Sequence, residues 1–181
     1  VIFRETAIDG ALLIVPEPHV DERGSFARVW CAKEAGAHGL DTVFVQSSLS
    51  SNKRKGTVRG MHYSVPPHAE AKVVRCVRGE IYDVLLDVRP RSRTFGVWFG
   101  QRLSADNCLG LSVPPGVAHG FQTMEDASDV LYQMSDFYDP ASARGLRWDD
   151  PSFDIRWPEA IVVISDRDRS YADFEPRRVG S

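Results

Sequence analysis

Pro114-Pro115-Gly116-Val117-Ala118-His119, continued by Gly120-Phe121-Gln122-Thr123, reads as a tight turn that hands a histidine straight onto a β-strand. Proline presets its own backbone angle and glycine tolerates what other residues resist, so the run ends one strand and launches the next. The same punctuation recurs outward along the chain. Short β-rich runs over residues 11–15, 25–30, 42–49, 57–63, 71–77, 81–88, 95–103, 108–113, 119–123 and 130–137 are separated by Gly, Pro, Asn and Asp. That pattern predicts an all-β sandwich or barrel. Val77-Arg78-Gly79-Glu80 reads as a hairpin turn between two of the runs, with Gly79 supplying the permissive backbone. One short helix fits residues 31–37, ended at Gly36 or Gly39. The tail from about Asp149 is rich in Pro and charge and reads as turns with a small helix. Without a linker or internal repeat, residues 1–181 are expected to form one domain.

The turn-plus-histidine is similar to the second signature of the cupin jelly rolls, whose two packed sheets enclose a pocket. Upstream, Gly56 and His62 fit the start of the first cupin signature, G-x5-HxH…E-x6-G, and Gly79 fits its end. The metal ligands between them do not match. The second His is Ser64, and the Glu is Lys72. A metal site needs deprotonated donors, and an ammonium in place of a carboxylate repels a cation. The fold class implied is all-β, a cupin-type double-stranded β-helix (jelly roll) with short peripheral helices, its metal ligands replaced and no metal or cofactor expected.

Composition narrows the partners. The chain has 181 residues, a formal net charge of -3, 43% hydrophobic and 26% charged residues, the mix of a globular protein that can bury a core without staples. No basic face suggests nucleic acid; the arginine clusters (Arg89, Arg91, Arg93; Arg144, Arg147) read as solvated surface. Three cysteines, Cys31, Cys76 and Cys108, lie far apart without a CxxC pair, as expected of reduced thiols. No signal segment and no apolar run of about 18 residues appears, so no membrane contact and a cytoplasmic location are expected.

Two candidate chemical groups stand out from the β pattern. His62, in Arg59-Gly60-Met61-His62-Tyr63, carries the side chain best poised to take a proton near neutrality. Lys72, on the adjoining strand, can place a positive charge in the same cavity. Each residue alone is commonplace; a strand histidine usually packs and a lysine usually faces water. Strict strand parity also puts Arg59 and His62 on opposite faces, unless Gly60 marks a bulge.

Taken together, the motifs resemble the dTDP-4-dehydrorhamnose 3,5-epimerases. The matches run through Asp21-x-Arg23-Gly24-x-Phe26, Gln46-Ser-Ser-Leu-Ser50, Gly56-Thr-Val-Arg59-Gly-Met-His62-Tyr, Lys72, Asp83-x3-Asp87-x-Arg89, Ser92-x-Thr94-Phe95-Gly96, Ala118-His119-Gly120-Phe121, Tyr132, Tyr138-Asp-Pro140, Trp148-x-Asp150-Pro151 and Ser165-Asp-Arg167-Asp168. The resemblance implies proton transfer at C3 and C5, or C3 alone, of a nucleotide-linked 4-keto-6-deoxy sugar, through an enolate at O4. It implies His62 as base, Asp168 as the carboxylate that orients it, Lys72 near the developing oxyanion and Tyr132 as acid across the ring. Arg23 and Arg59 match diphosphate-holding arginines. Phe26, Gln46, Ser48, His119 and Arg167 fall at ligand-contacting positions, and Tyr138 matches an aromatic that stacks on the base. A homodimer exchanging an N-terminal strand is also implied.

Three positions depart from the family pattern: Ser48 replaces Asn, Arg28 replaces Glu and Ala143 replaces Glu. All three belong to ligand binding in the family, the two Glu positions on the nucleoside side, so the resemblance fixes the proton chemistry more tightly than the nucleotide. Two other classes fit part of the sequence. A metal-dependent cupin enzyme, such as a dioxygenase, needs ligands where Ser64 and Lys72 stand. A non-catalytic nucleotide-sugar-binding cupin has no use for a base opposite an acid.

Overall fold

Alternating apolar and polar residues give each strand one face to bury, and two such sheets bury their faces against each other. The computed structural model describes residues 1–41 and 43–175. Among these the strands are β1 (Ile2–Glu5), β2 (Leu12–Val15), β3 (His19–Asp21), β4 (Gly24–Phe26), β5 (Gln46–Asn52), β6 (Val58–Ser64), β7 (Lys72–Arg78), β8 (Glu80–Asp87), β9 (Trp98–Ser104), β10 (Gly110–Val113), β11 (Val117–Thr123), β12 (Ser128–Met134) and β13 (Ala143–Gly145). Two short helices, α1 (Ala32–Ala37) and α2 (Asp166–Arg169), lie at the periphery. A six-stranded sheet runs β1-β2-β10-β7-β12-β5 and a five-stranded sheet β13-β6-β11-β8-β9. The fold is the cupin-type jelly roll.

The inner faces meet in an apolar core. Val74, Leu111 and Val130 come from the first sheet, and Ile81, Leu85, Leu103 and Phe121 from the second. A second cluster, Met61, Val84, Leu86 and Ala118, packs beneath Phe153, Ile155, Trp157 and Phe174 of the C-terminal segment. That segment delivers α2 to the cavity, which makes the tail part of the site.

Two sequence expectations change. The turn at Gly79 (φ 71°) does not close a hairpin. It carries the chain from β7 in one sheet to β8 in the other, and a Cβ there would meet Ser128 Oγ at 2.6 Å. Local turn chemistry looks alike in both cases, and only the non-local pairings separate them. Strands β1, β3 and β13 were not expected; each has three or four residues, too few to show a period. Thr42, in the strand expected over 42–49, lies outside the described residues.

One polar cluster braces the start of this frame. Asp87, with its side chain fully buried, accepts from Arg89 Nη2 at 2.7 Å, Ser92 Oγ at 2.5 Å and Thr94 Oγ1 at 2.6 Å. Burial alone would raise its pKa, but Arg89, Ser92 and Thr94 outweigh burial and hold it at about 2. The folded pKa is depressed, so the stabilisation is present above the unfolded carboxylate value near 4 and disappears as pH falls towards 2. Asp87→Asn is therefore expected to lower stability by about 2 kcal/mol at pH 7. Denaturant melts at pH 7 and pH 2.5 check this: the gap between variant and wild type should shrink at the lower pH.

Candidate active site

The site begins with a bulge. His119 on β11 pairs with His62 on β6, whereas Phe121 pairs with Arg59, so β6 spends three residues where β11 spends two. The extra residue resets the alternation, and Arg59 and His62 both line one cavity. Glycines make the bulge possible. A Cβ on Gly60 (φ 126°) would lie 2.5 Å from Gly120 Cα, and one on Gly120 would lie 2.8 Å from the Arg59 carbonyl oxygen.

That cavity, of about 500 Å³, is lined by Arg59, His62, Lys72, His119, Tyr132 and Asp168, with Ser50 and the stretch 163–165 at its margin. His62 is half-exposed, and its Nε2 lies 2.7 Å from Asp168 Oδ1. Asp168 is buried and held twice more. The Gly60 N–H donates to its Oδ2 at 3.3 Å, and its own N–H donates to Ser165 Oγ, the cap of α2, at 3.1 Å. Burial pushes the Asp168 pKa up, but the hydrogen bond and charge of His62, with Gly60 and Ser165, hold it below the usual carboxylate range. Asp168 thus stays ionised beside the imidazole, which is what an orienting carboxylate requires.

His119 and His62 are cross-strand partners, so they share a face. His119 Nε2 sits 2.7 Å from Asp83 Oδ1 with both side chains buried, at ion-pair distance but without hydrogen-bond alignment. Burial raises the Asp83 pKa more than His119 lowers it. The His119 ring meets Tyr132 edge-on, with centroids 5.8 Å apart. Burial first, and then the charge of Asp83, raise the Tyr132 phenol well above its ordinary value, against a smaller opposing pull from Arg59. A phenol so placed holds its proton and can donate it.

Lys72 opens β7 and forms an ion pair with Glu70 at 2.9 Å. Arg59 Nε donates to Asn52 Oδ1 at 2.7 Å, which steadies its guanidinium on the wall. Gln46, Tyr138 and Arg167, also expected at the ligand, do not line this cavity. Gln46 Oε1 accepts from the Tyr138 N–H at 2.6 Å, and Arg167 Nε donates to the Tyr171 hydroxyl at 2.9 Å. The Tyr171 ring stands edge-on to His62, with centroids 6.2 Å apart. Tyr138 is exposed.

Three further expected contacts also stay out of the cavity. Arg23 and Phe26 lie on the β3–β4 hairpin, a separate two-stranded sheet. Phe26 is 76% exposed, and Arg23 is turned back onto Asp21 at 2.5 Å. Ser48 lies opposite Tyr132 in register but is exposed, and Ser50, two residues along the same face, lines the cavity instead. Of the departures from the family pattern, Arg28 pairs with Glu34 at 3.2 Å and Ala143 starts β13, opposite Ser64. Sequence reading missed Glu70, Ser50, Tyr171 and the partnership of Asp83 with His119. Asp83 and Ser50 had a signal, their places in the Asp83-x3-Asp87-x-Arg89 and Gln46-Ser-Ser-Leu-Ser50 motifs.

Comparison with known proteins places the chain in one family. The family model described as dTDP-4-dehydrorhamnose 3,5-epimerase matches residues 5–176. The dTDP-4-dehydrorhamnose 3,5-epimerase of Shigella flexneri is 41% identical over 165 residues, 91% of each chain. The crystal structure of the enzyme of that name from Bacillus anthracis, with TDP and PPi bound, superposes with a TM-score of 0.91 at 36% identity, covering 96% of this chain and 99% of the other. A 3'-monoepimerase from Streptomyces bikiniensis in complex with dTDP-quinovose gives a TM-score of 0.85 at 32% identity, covering 93% and 85%. The chain belongs to the dTDP-4-dehydrorhamnose 3,5-epimerase family.

Proposed function

We propose that this protein epimerises a dTDP-linked 4-keto-6-deoxy sugar, an isomerase step of deoxysugar biosynthesis. The observation that carries the reading is the meeting of the His62–Asp168 pair, the Lys72 ammonium and the Tyr132 phenol in one cavity. The ketone at C4 acidifies the hydrogens at C3 and C5. His62 removes one of them, and Asp168 stabilises the imidazolium that forms. The electron pair moves to O4, where Lys72 meets the developing negative charge. Tyr132 returns a proton to the opposite face, and reprotonation there inverts the centre. Arg59 takes the diphosphate, and Tyr138, with Gln46 beside it, receives the nucleobase; Arg167 and His119 complete the ligand contacts.

The exposed β3–β4 hairpin supports a second part of the reading. Arg23 pairs with Asp21 two residues away and Phe26 is exposed, so neither lines its own chain's cavity, and in a homodimer they reach the partner's. Light scattering should give twice the chain mass; a fully active monomer would refute the dimer.

Asp168→Asn keeps the shape of the pair and removes its charge. Turnover should fall by roughly tenfold to a hundredfold, less than for loss of the base itself, and steady-state rates with the purified variant check this. The decisive test of the function is incubation with dTDP-4-keto-6-deoxyglucose in deuterated water. Deuterium at C3 and C5 gives the 3,5-epimerase, and deuterium at C3 alone gives a monoepimerase. No incorporation at either carbon sinks the reading.

A further inference from the structure

Glu70 has no part in the proton transfers and does not itself line the cavity, yet it is held against Lys72, which does. Its carboxylate is 10% exposed and lies 2.9 Å from the Lys72 ammonium, which is 13% exposed. Its Oε1 also accepts from Ser64 Oγ at 3.4 Å. Ser64 stands two residues beyond His62 on β6, on the same side of that strand, and Glu70 lies in the connection that leads into β7 at Lys72. Strands β6 and β7 belong to different sheets. Glu70 therefore ties the sheet that carries the imidazole to the sheet that carries the ammonium, through Ser64 at the end of β6 and Lys72 at the start of β7.

Lys72 needs such a tie. Its four-carbon stem has many rotamers, and it borders a second cavity of about 390 Å³, lined among others by Trp30, Asp41 and Phe44. Asp41 is an alternative partner for the ammonium on that side. Asp168 and Asp83 cannot replace Glu70, because each already faces a histidine. We infer that Glu70 is the positioning residue for Lys72: it holds the ammonium towards His62 and away from the neighbouring cavity. The inference rests on the epimerase reading, since it assigns Lys72 a task at the enolate. An ammonium has three donors, and Glu70 occupies one while the rest remain for O4.

Glu70→Ala should lower kcat by about tenfold or more with KM within about twofold, because a displaced stabilising group costs rate rather than binding. Glu70→Gln should recover most of the rate, since its amide oxygen still accepts from the ammonium and from Ser64. In a Lys72→Ala background, Glu70→Ala should cost nothing further. Wild-type kcat in Glu70→Ala overturns the inference. So does an equal fractional loss in the Lys72→Ala background, or a raised KM with kcat intact. A crystal structure of Glu70→Ala reads the geometry without any turnover: an ammonium turned towards Asp41 supports the inference, and an unmoved one overturns it. A wild-type enzyme silent in deuterium exchange would instead fail the epimerase reading, and the crystal structure would still decide the role of Glu70.

Discussion

His62→Ala is expected to reduce turnover by about 10²–10⁴-fold while the protein stays folded. The magnitude is that of a positioned base, because water must then take the proton from a weak carbon acid. The fold survives because His62 is half-exposed at the cavity wall and its ring supports little of the core. The backbone that places it is set by Gly60 and Gly120, which the substitution leaves alone. Alanine does strip Asp168 of its imidazole partner, but Gly60 and Ser165 still hold that side chain. Thermal unfolding should therefore move by only a few degrees, while the rate of deuterium incorporation collapses. A purified, folded His62→Ala protein that retains wild-type turnover would leave the proposed base without a role.

How far the sequence could lead is visible in the β6–β11 pair. The turn before His119 and the strand around His62 are local patterns, and both are legible. Their meeting as cross-strand partners is not, because register depends on the bulge, and the bulge depends on Gly60 lying against Gly120. Parity alone sets Arg59 and His62 apart, and one inserted residue brings them together. Gly79 shows the limit from the other side, since a glycine turn between two β runs looks like a hairpin until each strand has found its neighbours. The motif carrying Arg23 and Phe26 is readable as sequence, but its two three-residue strands are too short to show a period, and nothing local tells that they stand apart from the cavity as a separate sheet. Glu70 went unread because an acidic residue before a strand is ordinary; only its depth and its closeness to Lys72 set it apart.

Lys72→Ala is the second large effect expected, a loss of about 2.7–4 kcal/mol in transition-state stabilisation, or about 10²–10³-fold in kcat. The charge on O4 develops only as the C–H bond breaks. An ammonium that meets it acts on the transition state more than on the bound ketone, so KM should change far less than kcat. The low exposure of Lys72 strengthens this, because little water competes for its donors. A second consequence follows from Glu70: alanine at 72 leaves that carboxylate, itself mostly buried, without its counter-charge. Stability should fall by roughly 1–3 kcal/mol, and the Glu70→Ala second change should restore part of it without restoring rate. Lys72→Arg keeps the charge but presents a broad planar donor set in place of a compact one, so only partial activity is expected. Deuterium incorporation at saturating substrate, measured beside denaturant melts of the same preparations, separates the two effects. A Lys72→Ala protein within threefold of wild-type kcat would move enolate stabilisation to another group, with His119, on the same face as His62, the next residue to examine.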